Sequence, residues 1–463
     1  MKKIFCFLFI PFMLFSCSKS ARGYDELEKS LMGILLKKDE NSVVKQLEKT
    51  ADLGNEDVFG LAYAYLGETG EDFWNRYLKK SKGIAEFYKA SYLQKQNPND
   101  DQIIPLLESS AKQGFIRSYF TLGRIYEDKF EFEKAQEYLK KGKDAGDMYA
   151  TYSYEYNKKF SNEYKKMENL DKKLKDGSIS KDEKKELGTL VLEVMSDYEK
   201  AYDILKEFIS EGFSPALYAK GKILESEDKE DEAVQLYNQS FEKDKYYLSA
   251  FELASKLVNR SKDNYQLALQ VLDAAKSDKS VVLGYQGFIY ENMKDYDKAE
   301  DYYQKAIQKG DVDVMNYLGR LYETKNELKK AKNIYNKAYQ LGSIPAGYRL
   351  AYVLEEIEAE KTKSKVKDNV RKSKEAKQIL EKLSENGDDY STVDLSLYYP
   401  EKDKNIRILN LKAAAKLNST AFYNLGVYYY TRNDKNKSKV YFRIAKDNGY
   451  DIGPVFEKFI EGK

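Results

Sequence analysis

MNYLGRLYETKNELKKAKNIYNKAYQLG, residues 315–342, begins 32 residues after LGYQGFIYENMKDYDKAEDYYQKAIQKG, residues 283–310, and the two are one pattern written twice. Around the later copy, Val314, Tyr317, Leu318, Leu321 and Tyr322 fall at i, i+3, i+4, i+7 and i+8, which is one apolar face of a helix. A polar turn at 323–326 separates it from Leu328, Ala331, Ile334, Tyr335 and Ala338, which make a second face. Alanines at 331 and 338, like Ala299 and Ala306, let two antiparallel helices approach closely while tyrosines fill the space around them. Gly310 and Gly342 stand where a helix end calls for a left-handed residue.

Glycine spacing carries the pattern along the chain. Gly123 and Gly146, Gly287 and Gly310, Gly319 and Gly342, and Gly426 and Gly449 are each 23 residues apart, while Gly114 to Gly123, Gly212 to Gly221 and Gly310 to Gly319 are steps of 9. Periods of this size mean stacked supersecondary units, each with an apolar flank that only its neighbour covers. The expected fold is therefore all-α: an α-solenoid of about ten antiparallel helix pairs over residues 24–449, with insertions near 67–99, 157–188 and 355–373. In residues 450–463, Pro454 followed by Phe456, Phe459 and Ile460 predicts a closing helix over the last repeat. Trp74, the only tryptophan, reads as a packing residue of the first insertion, and the lysine- and glutamate-rich second insertion reads as a solvated helical extension.

The small and aromatic positions Gly287, Tyr290, Ala299, Tyr303 and Ala306 resemble the tetratricopeptide repeat (TPR). The nine-residue step from a helix-ending glycine into Leu-Gly resembles Sel1-like repeats instead, so the unit looks like a hybrid of the two. The resemblance implies a non-catalytic scaffold that binds protein or peptide partners on a concave face lined by first helices. Positions matching the groove-facing sites of TPR proteins are Arg117, Phe120, Arg124, Tyr218, Lys222, Asn316, Arg320 and Tyr423. Arg124 and Arg320 lead this set, because a guanidinium holds a carboxylate through two parallel bonds. The plain alternative for each is an ordinary solvated helix residue.

At the other end, two lysines precede an apolar run from Ile4 to Phe15 that is too short to span a bilayer, which marks residues 1–16 as a signal peptide. Leu14, Phe15, Ser16 and Cys17 resemble a bacterial lipobox, which implies a diacylated Cys17 with a short tether through residue 23. Acyl chains convert a soluble protein into an anchored one. The expectation is an exported protein held to the cell envelope, at the outer membrane facing the periplasm or at the cell surface.

Composition narrows the chemistry. Of the two cysteines, Cys6 leaves with the leader and Cys17 is lipidated, so the mature chain is held by packing alone. The absence of histidine removes the commonest general base and the commonest zinc ligand, and no phosphate-loop or dinucleotide glycine motif is present; no cofactor and no metal are expected. With 78 basic against 76 acidic residues there is no electrostatic footprint for nucleic acid. Two other readings stay open: a peptidoglycan- or carbohydrate-binding envelope protein using groove tyrosines, and a surface-exposed protein that engages host molecules.

Overall fold

The computed structural model describes residues 10–66, 70–362 and 371–462, with side chains from residue 22 onward. Residues 1–9 of the expected leader and the side chain of Cys17 lie outside the described residues. The backbone at 17–23, expected to be a short tether ahead of the first helix, is itself helical within Ile10–Leu35. Among the described residues there are 27 α-helices and no strand, and the architecture is an α-solenoid of helix hairpins.

One internal ruler builds the hairpins. Gly123, Gly221, Gly287, Gly319 and Gly426 sit within first helices, where a Cβ would come to 2.6 Å from Leu139, 2.4 Å from Tyr237, 2.6 Å from Tyr303, 2.4 Å from Tyr335 and 2.7 Å from Phe442. Each of those side chains is sixteen residues on, in the second helix, so glycine is required because a large side chain rests on the bare backbone. Seven residues after each glycine, the turn residues Phe130, Asp228, Lys294, Asn326 and Asn433 adopt positive φ and reverse the chain. At twenty-three residues, Gly310 closes its helix by donating to the Ile307 carbonyl (2.8 Å) while Asp311 donates to that of Ala306 (3.3 Å); Gly342 and Ser343 repeat the arrangement on Tyr339 and Ala338. The wedged rings of Tyr237, Tyr303 and Tyr335 are fully buried, on the order of 200 Å² each, and they dominate the packing energy of their hairpins.

One hairpin runs a residue long. After helix Lys181–Leu190 the chain makes a π-helical turn, Val191–Met195, in which the Ser196 N–H donates to the carbonyl of Val191, five residues back. From there every mark is late by one: Gly188 meets Leu205 at seventeen residues, the left-handed turn residue Ser196 comes at eight, and the cap Gly212 at twenty-four. A wider turn takes up one additional residue without breaking the helix.

The run at 157–188, expected to be solvated, is integral to the core. Helix Ser161–Lys175 and the helix after it bury Tyr164, Met167, Leu170 and Leu187 in one apolar cluster with Val191, Leu205 and Phe208. Its lysines and glutamates face outward and pair, as in Lys185 with Glu211 (2.7 Å). Trp74 is 1% exposed and packs edge-on to Phe73, with ring centroids 5.1 Å apart.

The chain divides into two compact units. Residues 123–350 form one, in which helix Met148–Lys159 meets later loops: the Tyr152 hydroxyl donates to Asp313 (3.0 Å), and Gly342 lies so close that a Cβ would be 2.5 Å from the Met148 carbonyl. The other unit joins residues up to 122 with those from 351 onward. There Leu27 and Leu31 of the first helix share a core with Leu411, Phe422, Leu425 and Phe442. Glu28, 3% exposed at its side chain, accepts from Arg407 (2.6 Å), Lys437 (3.1 Å) and the Tyr441 hydroxyl (3.0 Å). Helix Gly453–Glu461 finishes this stack by laying Phe456 on Phe442 at 4.2 Å between centroids.

Candidate functional site

Four residues after four of the five hairpin glycines, on the same helix face, stands a glutamate: Glu127, Glu225, Glu291 and Glu323, with Tyr430 in that place after Gly426. The extra residue of the π turn shifts the equivalent position to Glu193. Two of these carboxylates receive the tyrosine wedged in from the second helix. The Tyr303 hydroxyl donates to Glu291 (2.6 Å) and that of Tyr335 to Glu323 (2.5 Å).

Cations complete each rung. Arg124 pairs with Glu127 (2.5 Å), Lys222 with Glu225 (2.7 Å), and Lys256 also with Glu225 (2.8 Å). Arg320 donates to Glu291 through Nε and Nη2, each at 3.2 Å, and Arg349 places Nη2 at 2.9 and 2.8 Å from the two oxygens of Glu323. Arg320 and Arg349 thus reach back to the preceding hairpin and tie neighbouring repeats together. Glu193 accepts from the Tyr246 hydroxyl (3.2 Å) and from Lys279 (3.3 Å).

Except at Glu225, whose side chain (21% exposed) is level with those of Lys222 (24%) and Lys256 (20%), the acids lie beneath and the bases above. The Glu127 side chain is 1% exposed and that of Glu323 13%, whereas Arg124 and Arg349 are 48% and 40% exposed. Burial pushes the Glu225 carboxyl up, but the two lysines outweigh it and hold it below the usual range. At Glu127 burial wins over Arg124 and Asn157, and the carboxyl is raised. Burial also drives the Tyr303 and Tyr335 hydroxyls upward, and their carboxylate partners add to the rise, so both remain donors. In the same unit, the Tyr156 hydroxyl donates to the Val194 carbonyl of the π turn (2.8 Å) and is pushed up to about 12, first by burial and then by Asp311 and Asp313.

The residues singled out from sequence divide. Arg124, Lys222 and Arg320 occupy one register position, immediately after the hairpin glycine, and form the outer side of the ladder. Tyr218 is 7% exposed, packed on Tyr237 and Tyr246 with its hydroxyl on Glu252 (3.2 Å), and so serves the core. Asn316 donates to the Ser343 hydroxyl (3.3 Å) while its buried Oδ1 lacks a hydrogen-bond partner among the described residues. In the other unit, Arg117 donates to the Asn386 carbonyl and packs on Gly387, capping the end of helix Lys374–Glu385. Phe120 is half-buried there, and Tyr423 stacks on Tyr450 (4.8 Å) and meets Phe456 edge-on, holding the closing helix. The glutamates were not anticipated, although the signal is legible: Gly123, Gly221, Gly287 and Gly319 each begin a five-residue string that ends in Glu.

Residues 281–310 match one tetratricopeptide repeat model, and residues 116–145 and 312–341 match another. Three stretches of the chain are thus tetratricopeptide repeats. Its matched stretches are the hairpins led by Gly123, Gly287 and Gly319, the same ones that carry Arg124, Glu291 and Arg320. Among solved structures, the chain is similar to a protective antigen of uropathogenic Escherichia coli with an SLR fold, at 16% identity over 90% of this chain and 92% of that one, with a TM-score of 0.36. It is also similar to a Sel1 repeat protein from Oxalobacter formigenes, at 22% identity over 43% and 84% with a TM-score of 0.33, and to yeast Tom70, at 13% identity over 83% and 94% with a TM-score of 0.40. No curated protein matches the sequence. Tetratricopeptide repeats are typically non-catalytic and bind protein or peptide partners, which gives the chain the character of a protein-binding scaffold. Among the described residues, no group of three or more metal-ligating side chains is placed to hold an ion, and no helix is long and apolar enough to cross a membrane.

Proposed function

We propose that this protein is a non-catalytic scaffold tethered to the bacterial cell envelope through Cys17, and that it holds a protein partner rich in acidic side chains along the ladder of half-exposed cations. The observation that carries the reading is the ladder's construction. Glu127, Glu193, Glu291 and Glu323 each orient an arginine or lysine from below, while the outer side of the cation stays in water. Arg320 spends Nε and Nη2 on Glu291 and keeps Nη1 for a partner. A guanidinium fixed in advance loses little freedom on binding, which favours affinity and specificity. The tether rests on the leader and the lipobox-like residues before Cys17.

The test is crosslinking in living cells with the tagged full chain. One or two envelope proteins are expected to recur, and Arg124→Ala with Arg320→Ala is expected to keep the fold while lowering affinity by about 5- to 30-fold, a loss of about 1–2 kcal/mol. Cys17→Ala should release the protein from membranes. Recovery of cell-wall fragments with no protein enriched, or partner recovery unchanged by the double substitution, overturns the reading.

A further inference from the structure

The ladder changes character at one hairpin. Where Arg124, Lys222 and Arg320 follow their glycines, Phe288 follows Gly287. Steps of 32 residues lead from Phe288 to Arg320, and from Tyr285 through Tyr317 to Arg349. Three successive first helices, Ser280–Asn292, Val314–Thr324 and the one beginning at Ile344, therefore carry in these two registers a pair of rings, then a ring beside an arginine, then an arginine.

The rings and cations are braced against one another. Tyr285 lies on Phe288 with centroids 5.5 Å apart, and Phe288 meets Tyr317 edge-on at 6.5 Å. Tyr317 is nonetheless 41% exposed, and the Arg320 guanidinium sits over its ring, 5.3 Å from the centroid. Arg320 is thus held by Tyr317 and Glu291 together, while 43% of its side chain stays in water. Arg349, fixed on Glu323, is 40% exposed. Rigid aromatic and arginine side chains standing together in water are the composition of a contact surface.

Its dimensions select the form of the partner. The two registers are three residues apart on a helix, so the strip is about 5 Å wide, the breadth of one extended chain and half that of an α-helix. Neighbouring helices lie about 8–10 Å apart, which sets the step from the rings to Arg320 and from Arg320 to Arg349. A polyproline-II chain rises about 3.1 Å per residue and returns to the same face at every third residue, a step of about 9 Å. A β-strand, with a period of two, turns every third side chain away.

We propose that the strip binds an extended, polyproline-II-like segment of a partner protein, with a large apolar side chain against Phe288 and Tyr317 and carboxylates three and six residues along on Arg320 and Arg349. The proposal rests on the scaffold reading and narrows it, adding an apolar anchor and a spacing to the acidic character.

The experiment titrates the full chain with blocked, dye-labelled heptapeptides, read by fluorescence anisotropy. Tryptophan stands first, glutamates stand fourth and seventh, and proline fills the other places; a second peptide has the reverse order. One of the two should bind with Kd at about millimolar concentration or below. Moving both glutamates by one place should weaken it at least about fivefold, and replacing the tryptophan with alanine about tenfold. In Phe288→Arg, a peptide with glutamate in place of the tryptophan should become the better ligand. Should that variant not fold, Tyr317→Ser, at an exposed position, should erase the advantage of tryptophan over alanine. Binding of neither order, indifference to the glutamate spacing, or an all-glutamate peptide that binds the wild type as tightly as the tryptophan one overturns the proposal. In the last case the ladder reading stands if Arg320→Ala weakens that peptide, and falls with the proposal if it does not.

Discussion

Replacing glycine by alanine inside a helix normally stabilises a protein, by about 0.5–1 kcal/mol, because alanine has less freedom to lose. At Gly319 the sign should reverse. A Cβ there would lie 2.4 Å from two ring carbons of Tyr335, and that ring has nowhere to go, since it is fully buried and its hydroxyl is held by Glu323. Overpacking of this kind costs about 1–3 kcal/mol, which leaves Gly319→Ala destabilising by about 1–2 kcal/mol after the propensity gain. Gly33 is the control, because its nearest neighbour outside its own helix is a Val43 methyl at 3.5 Å, an ordinary contact, and Gly33→Ala should stabilise. In a repeat protein the penalty falls on the hairpin and its neighbours. Amide hydrogen exchange in helices Val314–Thr324 and Leu328–Gln340 should therefore accelerate about 5- to 30-fold in Gly319→Ala, with a lower thermal midpoint. If exchange there is unchanged or slower while Gly33→Ala behaves as stated, the glycine is not set by ring packing and the ruler loses its physical basis.

Two further outcomes follow from the buried charges. At Glu28, burial raises the carboxyl but Arg407, Tyr429 and Lys437 outweigh it, so its folded value lies below the ordinary 4.5; the stability it supplies is full above that value and is lost as pH falls through the lowered one. Glu28→Gln should cost about 2–3 kcal/mol at pH 7 and flatten the acid side of the stability curve, read as urea midpoints at pH 7 and 3.5, and parallel curves for the two proteins would refute the assignment. Tyr303→Phe removes the hydroxyl from Glu291 but leaves Arg320 in place, and should cost about 1–2 kcal/mol. Combined with Arg320→Ala the losses should be non-additive by at least about 0.5 kcal/mol in a double-mutant cycle.

The hairpins were legible because two separate demands, a close approach and a left-handed cap, both select glycine and fall at fixed distances, as at Gly319 and Gly342. The run at 157–188 was misread because Tyr164, Met167, Leu170 and Leu187 are diluted among lysines and glutamates, so local charge hid a regular apolar face. The ladder was half legible. Arg124 and Arg320 share a register that spacing reveals, yet the partner of Arg124 lies in its own hairpin and that of Arg320 in the preceding one. The contacts of Glu28 with Arg407, Lys437 and Tyr441 had no local signal at all, because similar repeats do not announce which distant pair will meet.

The π-helical turn at Val191–Met195 has a bearing on how such a chain lengthens over generations. A codon gained within a first helix would ordinarily rotate every later side chain by about 100° and ruin the fit of that hairpin. Here the added residue is absorbed in a single widened coil just ahead of the turn, and Leu205 and Gly212 arrive one number late but in the right place. Lineages built on this plan are therefore free to drift in length by single residues at this point in the hairpin, and an alignment that allows no gap there will overlook repeats whose architecture is intact.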